Sequence, residues 1–127
     1  MVTASGNDGN HAIGAVDRDF TTRWSGVGPN TLTVDLGSTK SVEGVAIAMW
    51  KGNERNYPFQ IEYSKNGFSW MTALPMTQNS GETDQFEEYM FESPINARYI
   101  RYKGEGDTVP GKNYCHISEI AILGNNE

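Results

Sequence analysis

The strongest constraint on this chain is the stretch from Gly44 to Trp70, GVAIAMWKGNERNYPFQIEYSKNGFSW. It opens on Val45-Ala46-Ile47-Ala48-Met49-Trp50, an apolar run suited to a buried strand. A polar, basic loop follows at Lys51-Gly52-Asn53-Glu54-Arg55-Asn56. Alternation resumes at Phe59-Gln60-Ile61-Glu62-Tyr63 and breaks again at Lys65-Asn66-Gly67. Asn-Gly between alternating runs signals a tight hairpin, because both central residues of a type I′ turn need positive φ. The stretch therefore reads as two neighbouring strands, a loop of functional character between them, and a hairpin reaching a further strand piece with Phe68 and Trp70.

The rest of the chain completes a sheet structure around it. Thr31–Leu36 alternates, with Leu32, Val34 and Leu36 on one face. Gly37–Lys40 reads as a turn, Met71–Met76 as an edge strand because of Pro75, and Phe86–Phe91 as a strand. Ser93–Asn96 reads as another turn. Ala97–Lys103 alternates cleanly, with Ile100 and Tyr102 opposite Tyr99, Arg101 and Lys103, and Ile117–Leu123 closes the sheet. No segment carries a helical period. Short strands separated by turns predict an all-β sandwich or barrel.

At 127 residues the chain is one domain with one core. Its net charge of −6 lacks the basic face of a nucleic-acid binder. A local basic cluster can still hold an anion, since charges beyond about 8 Å are largely screened at physiological salt. Cys115 is the single cysteine, so neither an intrachain disulfide nor a cysteine metal site is available, and it reads as a small buried hydrophobe. No apolar run reaches the ~20 residues of a membrane span. Met1 leads directly into domain-like sequence, the expectation for a module excised from a larger protein.

The segments AVDRDFTTRW, TVDLG, VEGVAIAMW, FQIEYSKNGFSW, ARYIRY and ISEIAILG occur in that order over almost the whole chain. This pattern resembles the discoidin-type domains, which include the coagulation factor 5/8 C-type domains and the family 32 carbohydrate-binding modules. The loop WKGNERNYPFQIEYS is most similar to modules attached to alginate lyases. The resemblance implies an eight-stranded antiparallel jelly-roll β-sandwich, a structural calcium ion, and a sugar site on loops at one end. It further implies a secreted, monomeric accessory module, covalently linked to a catalytic domain and without nucleic-acid or membrane partners.

For the ion, the residues alone leave two readings open: an acidic turn at Asp17–Thr22, or oxygen ligands for a hard cation. The resemblance selects Asp17, Asp19 and Thr22, with Glu119 from the last strand and carbonyls near Asn10–Ala12 and Asp19. Arg18 stands where the family usually has glycine, so a positive φ there carries a cost.

For the sugar, Arg55 and Lys51 are the candidates to grip a uronate carboxylate, because a guanidinium can bond one in two places. Asn53, Asn113 and His116 are candidates for hydroxyls, and Tyr114, Trp50 or Trp24 for the apolar wall. The bland alternatives are surface charges beside Glu54, a rim histidine and three core tryptophans. The loops implied are 51–56, Lys112–His116 and Ser25–Gly28. Two charge-assisted bonds, less the cost of association, predict a dissociation constant of ~0.1 to several mM.

Nucleophile-elbow, zinc-helix and phosphate-loop spacings are absent. Glu87 and Glu88 sit on adjacent strand positions and so face opposite ways. The chain therefore reads as a binding module and not an enzyme. The competing binding readings are a neutral galactose or N-acetylhexosamine module and a cell-surface or lipid-binding adhesion domain.

Overall fold

The computed structural model describes residues 2–107 and 113–124. Seven strands carry the fold: β1 (Val2–Ala4), β2 (Trp24–Val27), β3 (Asn30–Met49), β4 (Phe59–Ser64), β5 (Met71–Thr77), β6 (Phe86–Gly104) and β7 (Tyr114–Gly124). A short 3-10 turn at Ala12–Ala15 is the one helical element among the described residues, and sequence periodicity gave no sign of it.

The pairing order is β2-β7-β3-β6-β4-β5, with β1 added on β3, and every pair is antiparallel. The all-β expectation holds, with seven continuous strands in place of eight. The difference lies in β3 and β6, of 20 and 19 residues. A straight 20-residue strand spans about 66 Å, whereas a domain this size is roughly 35 Å across. The two strands must bend together. They do so where the β3–β6 register shifts, between Asp35 and Lys40 and between Val42 and Gly44. The segments read as turns, Gly37–Lys40 and Ser93–Asn96, are these bends, and the strands run on through them. Gly37 takes φ 85° at the first.

The bends fold one ladder into two facing layers. β2, β7 and the second half of β3 form one. β1, β4, β5 and the first half of β3 form the other, and β6 contributes to both. The core lies between them, with Val45, Ile47, Met49 and Ile117 on one side and Leu32, Phe59, Ile61, Ile100 and Tyr102 on the other. Phe59 meets Tyr89 edge-on across it at 5.0 Å. Cys115 is fully buried, as read from the sequence, and burial pushes its thiol up to about 11.

The hairpin from β4 to β5 is looser than a two-residue turn. Glu62 pairs with Thr72 and Tyr63 with Met71, so residues 64–70 form the connection. Only Gly67 there has positive φ, at 81°. Asn66 instead uses its side chain, whose Oδ1 accepts from the N–H groups of Phe68 and Ser69. Phe68 is consequently exposed and Trp70 precedes the strand. β5 is the edge strand that Pro75 demanded, and its pairing skips from Leu74 to Thr77 around that proline.

Two buried hydroxyls, those of Tyr89 and Tyr102, are poorly served among the described residues. The Tyr102 hydroxyl is buried without a hydrogen-bond partner among the described residues. An unsatisfied buried polar group costs about 1–3 kcal/mol. Tyr102→Phe is expected to raise the unfolding free energy by about 1 kcal/mol, read as a higher urea midpoint at unchanged slope. A lower midpoint would show that the hydroxyl is bonded.

Candidate ligand site and metal loop

The basic loop after β3 is held from beneath by one buried side chain. Asn79, in the β5–β6 connection, donates to the carbonyls of Gly52 and Arg55 at 3.0 and 2.9 Å and accepts from the Tyr57 N–H at 2.8 Å. The Asn56 side chain returns a bond to the Asn79 carbonyl. Gly52 is required here, because a Cβ would stand 2.6 Å from the Thr83 carbonyl oxygen. Lys51 takes φ 54°, and its carbonyl accepts from the N–H groups of Glu54 and Arg55. The loop is a closed turn fixed in place, not a free excursion.

That turn surrounds Trp50, which lies just beyond β3 and is half-buried. Three cations gather over the ring, Arg23 at 4.1 Å, Lys51 at 4.9 Å and Arg55 at 5.1 Å. Each contact is worth about 0.5–2 kcal/mol, yet the three charges repel one another. Arg55 is neutralised by Asp107 at 3.0 Å, whose side chain is wholly buried. Arg23 and Lys51 make no ion pair among the described residues.

His116 joins from β7. Its ring meets Trp50 edge-on at 4.5 Å and stacks on Tyr114 at 5.5 Å. Its Nδ1 bonds Ser25 Oγ, which also accepts from Arg23 Nε at 3.0 Å. Burial, then the charges of Arg23 and Arg55, push His116 down to about 4. The ring is therefore neutral at pH 7. In a neutral ring one nitrogen donates and the other accepts, so the role of Nδ1 toward Ser25 sets that of Nε2.

Of the residues picked from the sequence, Lys51, Arg55, Tyr114 and His116 come together. Asn53 is exposed at the tip of the Lys51 loop. Asn113 is exposed beside the cluster, its carbonyl bonded to the Gly28 N–H. Lys112 lies outside the described residues. Trp24 is corrected: its ring is 0% exposed, packs on Tyr102 and donates to the Gly6 carbonyl, so it is core and not a contact surface. Trp50 and Trp70 lie outside the core, against the bland alternative that all three tryptophans are core. Ser25–Gly28 is not a free loop; its first three residues belong to β2, where Ser25 pairs with His116. Ser25 lies in the Ser25–Gly28 stretch that sequence reading named, whereas Arg23, Asp107 and Asn79 are the members it missed. None stands in a local pattern that marks it, because each arrives from a different connection.

The acidic loop lies against β7. Thr22 Oγ1 touches Asp17 Oδ2 and the carbonyl of Asp19 at 3.0 Å, and Gly14 O at 3.4 Å. Asp19 Oδ1 is engaged by Thr21. Glu119 reaches the loop because β7 carries one extra residue: Ala48 pairs with Glu119 but Met49 with Ile117, so Ser118 forms a bulge. A bulge reverses the alternation, turning Glu119 away from the face of Ile117. Its Oε1 accepts from the Arg18 N–H at 3.0 Å. Arg18 does take positive φ, 61°, the strained position expected of it. Burial and then Asp17 raise the Glu119 carboxyl above its usual range. The donors are all oxygens, which fits a hard cation. No three carboxylate, imidazole or thiol groups of the described residues converge, so carbonyls and the Thr22 hydroxyl would carry much of a shell.

His116 gives this site a pH signature. Its folded value, about 4, lies below its unfolded value near 6.5. The unfolded chain therefore binds more protons between those limits, and stability falls as pH drops from about 6.5 toward 4. Urea melts of the native protein should show this decline, and His116→Gln should flatten it. Parallel curves for the two proteins would contradict a neutral buried ring.

Comparison with known proteins follows the same geometry. The F5/8 type C domain family matches residues 1–120. No functionally curated protein matches the chain. A pectin-binding carbohydrate-binding module is 33% identical over 96% of this chain and 88% of its own, with a TM-score of 0.90. The family 32 module of AlyQ, solved with 4,5-unsaturated mannuronic acid, is 35% identical over 98% and 95%, with a TM-score of 0.92. A truncated AlyQ with its module and alginate lyase domains is 36% identical, and the chain spans 31% of it. The galactose-bound family 32 module of NanJ from C. perfringens, at 22% identity and a TM-score of 0.79, shares the fold. With the match running over nearly its whole length, this chain belongs to the F5/8 type C domain family and is of the family 32 carbohydrate-binding module kind.

Proposed function

We propose that this domain is a carbohydrate-binding module for an acidic saccharide of the alginate type, and that it recognises the uronate carboxylate at the Trp50 cluster. The observation that carries this reading is the gathering of Arg23, Lys51 and Arg55 around one ring in a protein of net charge −6. Cations crowded together lower their mutual repulsion when an anion enters between them. Lys51 and Arg23 supply the charge, and Arg55, oriented by Asp107, supplies directed N–H groups. His116 offers its second ring nitrogen and Asn113 its amide to hydroxyls, while the Tyr114 ring forms the apolar wall. The AlyQ module bound to an unsaturated mannuronic acid supports the choice of sugar and a preference for a chain end. The domain is itself a binding module and not an enzyme. Its work is to raise the effective concentration of an attached, secreted polysaccharide lyase at its substrate.

Calcium belongs to the same reading. Asp17, Thr22, Glu119 and the carbonyl of Asp19 would hold it, with Asp19's carboxylate supporting the loop. The ion supplies charge neutralisation that pins the first loop to β7, and takes no part in sugar chemistry.

Lys51→Ala is the sharper probe, because Arg55 also serves Asp107. It should weaken mannuronate oligomers about tenfold or more, as expected for a lost charge-assisted bond of ~1.5–3 kcal/mol, and reduce the salt dependence seen by calorimetry. Galactosides binding the native protein with uronates silent would establish the neutral-sugar reading instead. Separately, a chelator should lower the melting temperature by several degrees, as a change of about 1–2 kcal/mol does in a domain this size, with calcium restoring it. An unchanged melt, with no calcium uptake by calorimetry, would remove the ion from the account.

A further inference from the structure

The chemistry around Trp50 recurs at the other end of the sandwich. The Arg101 guanidinium lies 3.8 Å from the Trp70 ring centre and is gripped by Glu62 at 2.8 Å. Arg55 is held on Trp50 by Asp107 in the same manner. A lysine stands by each ring-bearing loop, Lys51 in one and Lys65 in the other. Lys65 makes no ion pair among the described residues. It lines a hollow of about 310 Å³ with Tyr63, Ser64, Asn66, Ser69 and Met71.

The turn that forms this hollow is rigid. Ser64 Oγ accepts from the N–H groups of Asn66 and Gly67, and Asn66 Oδ1 from those of Phe68 and Ser69. Two side chains thus satisfy four backbone donors, and the turn holds Phe68 89% exposed. The Asn66 amide nitrogen donates to no group among the described residues. A fixed turn with apolar walls, an ammonium and an amide, both without a partner among the described residues, has what a sugar ring with a carboxylate needs.

We propose that this hollow is a second saccharide site, taking a uronate residue through Lys65 and Asn66 against the Tyr63 and Met71 surfaces. The choice of uronate rests on the acidic-saccharide reading of the first site. β4 separates the two sites by its six residues, about 20 Å. One short oligosaccharide end cannot occupy both, so the domain is bivalent toward a polymer.

The test is a residue-resolved NMR titration with a mannuronate tetrasaccharide, on the native domain and on Lys65→Ala, with calorimetric stoichiometry alongside and galactose as the neutral probe. Two separate groups of shifts are expected, at 51–55 with 114–116 and at 63–71, with two equivalents bound. Lys65→Ala should lose the second group, or weaken it at least tenfold, and leave the first intact. Silence at 63–71 while the first group moves overturns the second site and leaves the proposed function standing. Silence at both overturns both. Unchanged binding at 63–71 in Lys65→Ala, or a response there to galactose alone, overturns the uronate assignment.

Discussion

The paired bending of β3 and β6 is the constraint on which everything else rests. Neither strand fits in the domain unbent, and a bend in one alone would break their shared ladder. Because the register slips in step, the two stay bonded while passing from one layer to the other. The core then needs no helix to close it. The bent ladder also delivers the ends of β3, β6 and β7 to one rim, where Trp50, Asp107 and His116 meet.

At that rim, charge is arranged by what is buried around it. Asp107 is wholly enclosed and takes Arg55 as its partner, which fixes the direction of the guanidinium. His116 stays neutral because burial and two nearby arginines oppose a further positive charge. Among the described residues the cluster therefore keeps two cations outside any ion pair, Arg23 and Lys51, facing one aromatic ring. Asn79 makes this durable, since it fixes the loop backbone with three hydrogen bonds from a neighbouring connection.

Much of this was legible in the chain itself. Alternation located Ile100 and Tyr102 inside and Arg101 and Lys103 outside, and Pro75 marked the edge strand. The positive φ of Arg18 followed from the resemblance, which puts glycine at that position. Other features were hidden for physical reasons. Glycine and proline punctuate turns and strand bends alike, so Gly37–Lys40 and Ser93–Asn96 read as breaks. Asn-Gly suggested a two-residue turn, but Ser64 and Asn66 capped a longer one with their side chains. Arg23 and Asp107 entered the site through tertiary packing, which leaves no trace in local spacing. The tryptophans were the hardest to place, because a half-buried ring under a guanidinium has the same local pattern as a core ring.

The bulge at Ser118 gives the last strand an unusual property. Upstream of it, residues are phased to the core through Ile117; downstream, through Ile120 and Ile122. One surplus residue thus lets a single strand serve two masters, a packed interior and an acidic loop that must receive Glu119. The bulge, rather than any one side chain, sets this phasing. Were Ser118 taken into the ladder as an ordinary residue, everything downstream would turn over, and Glu119 would take an interior position in place of Ile120.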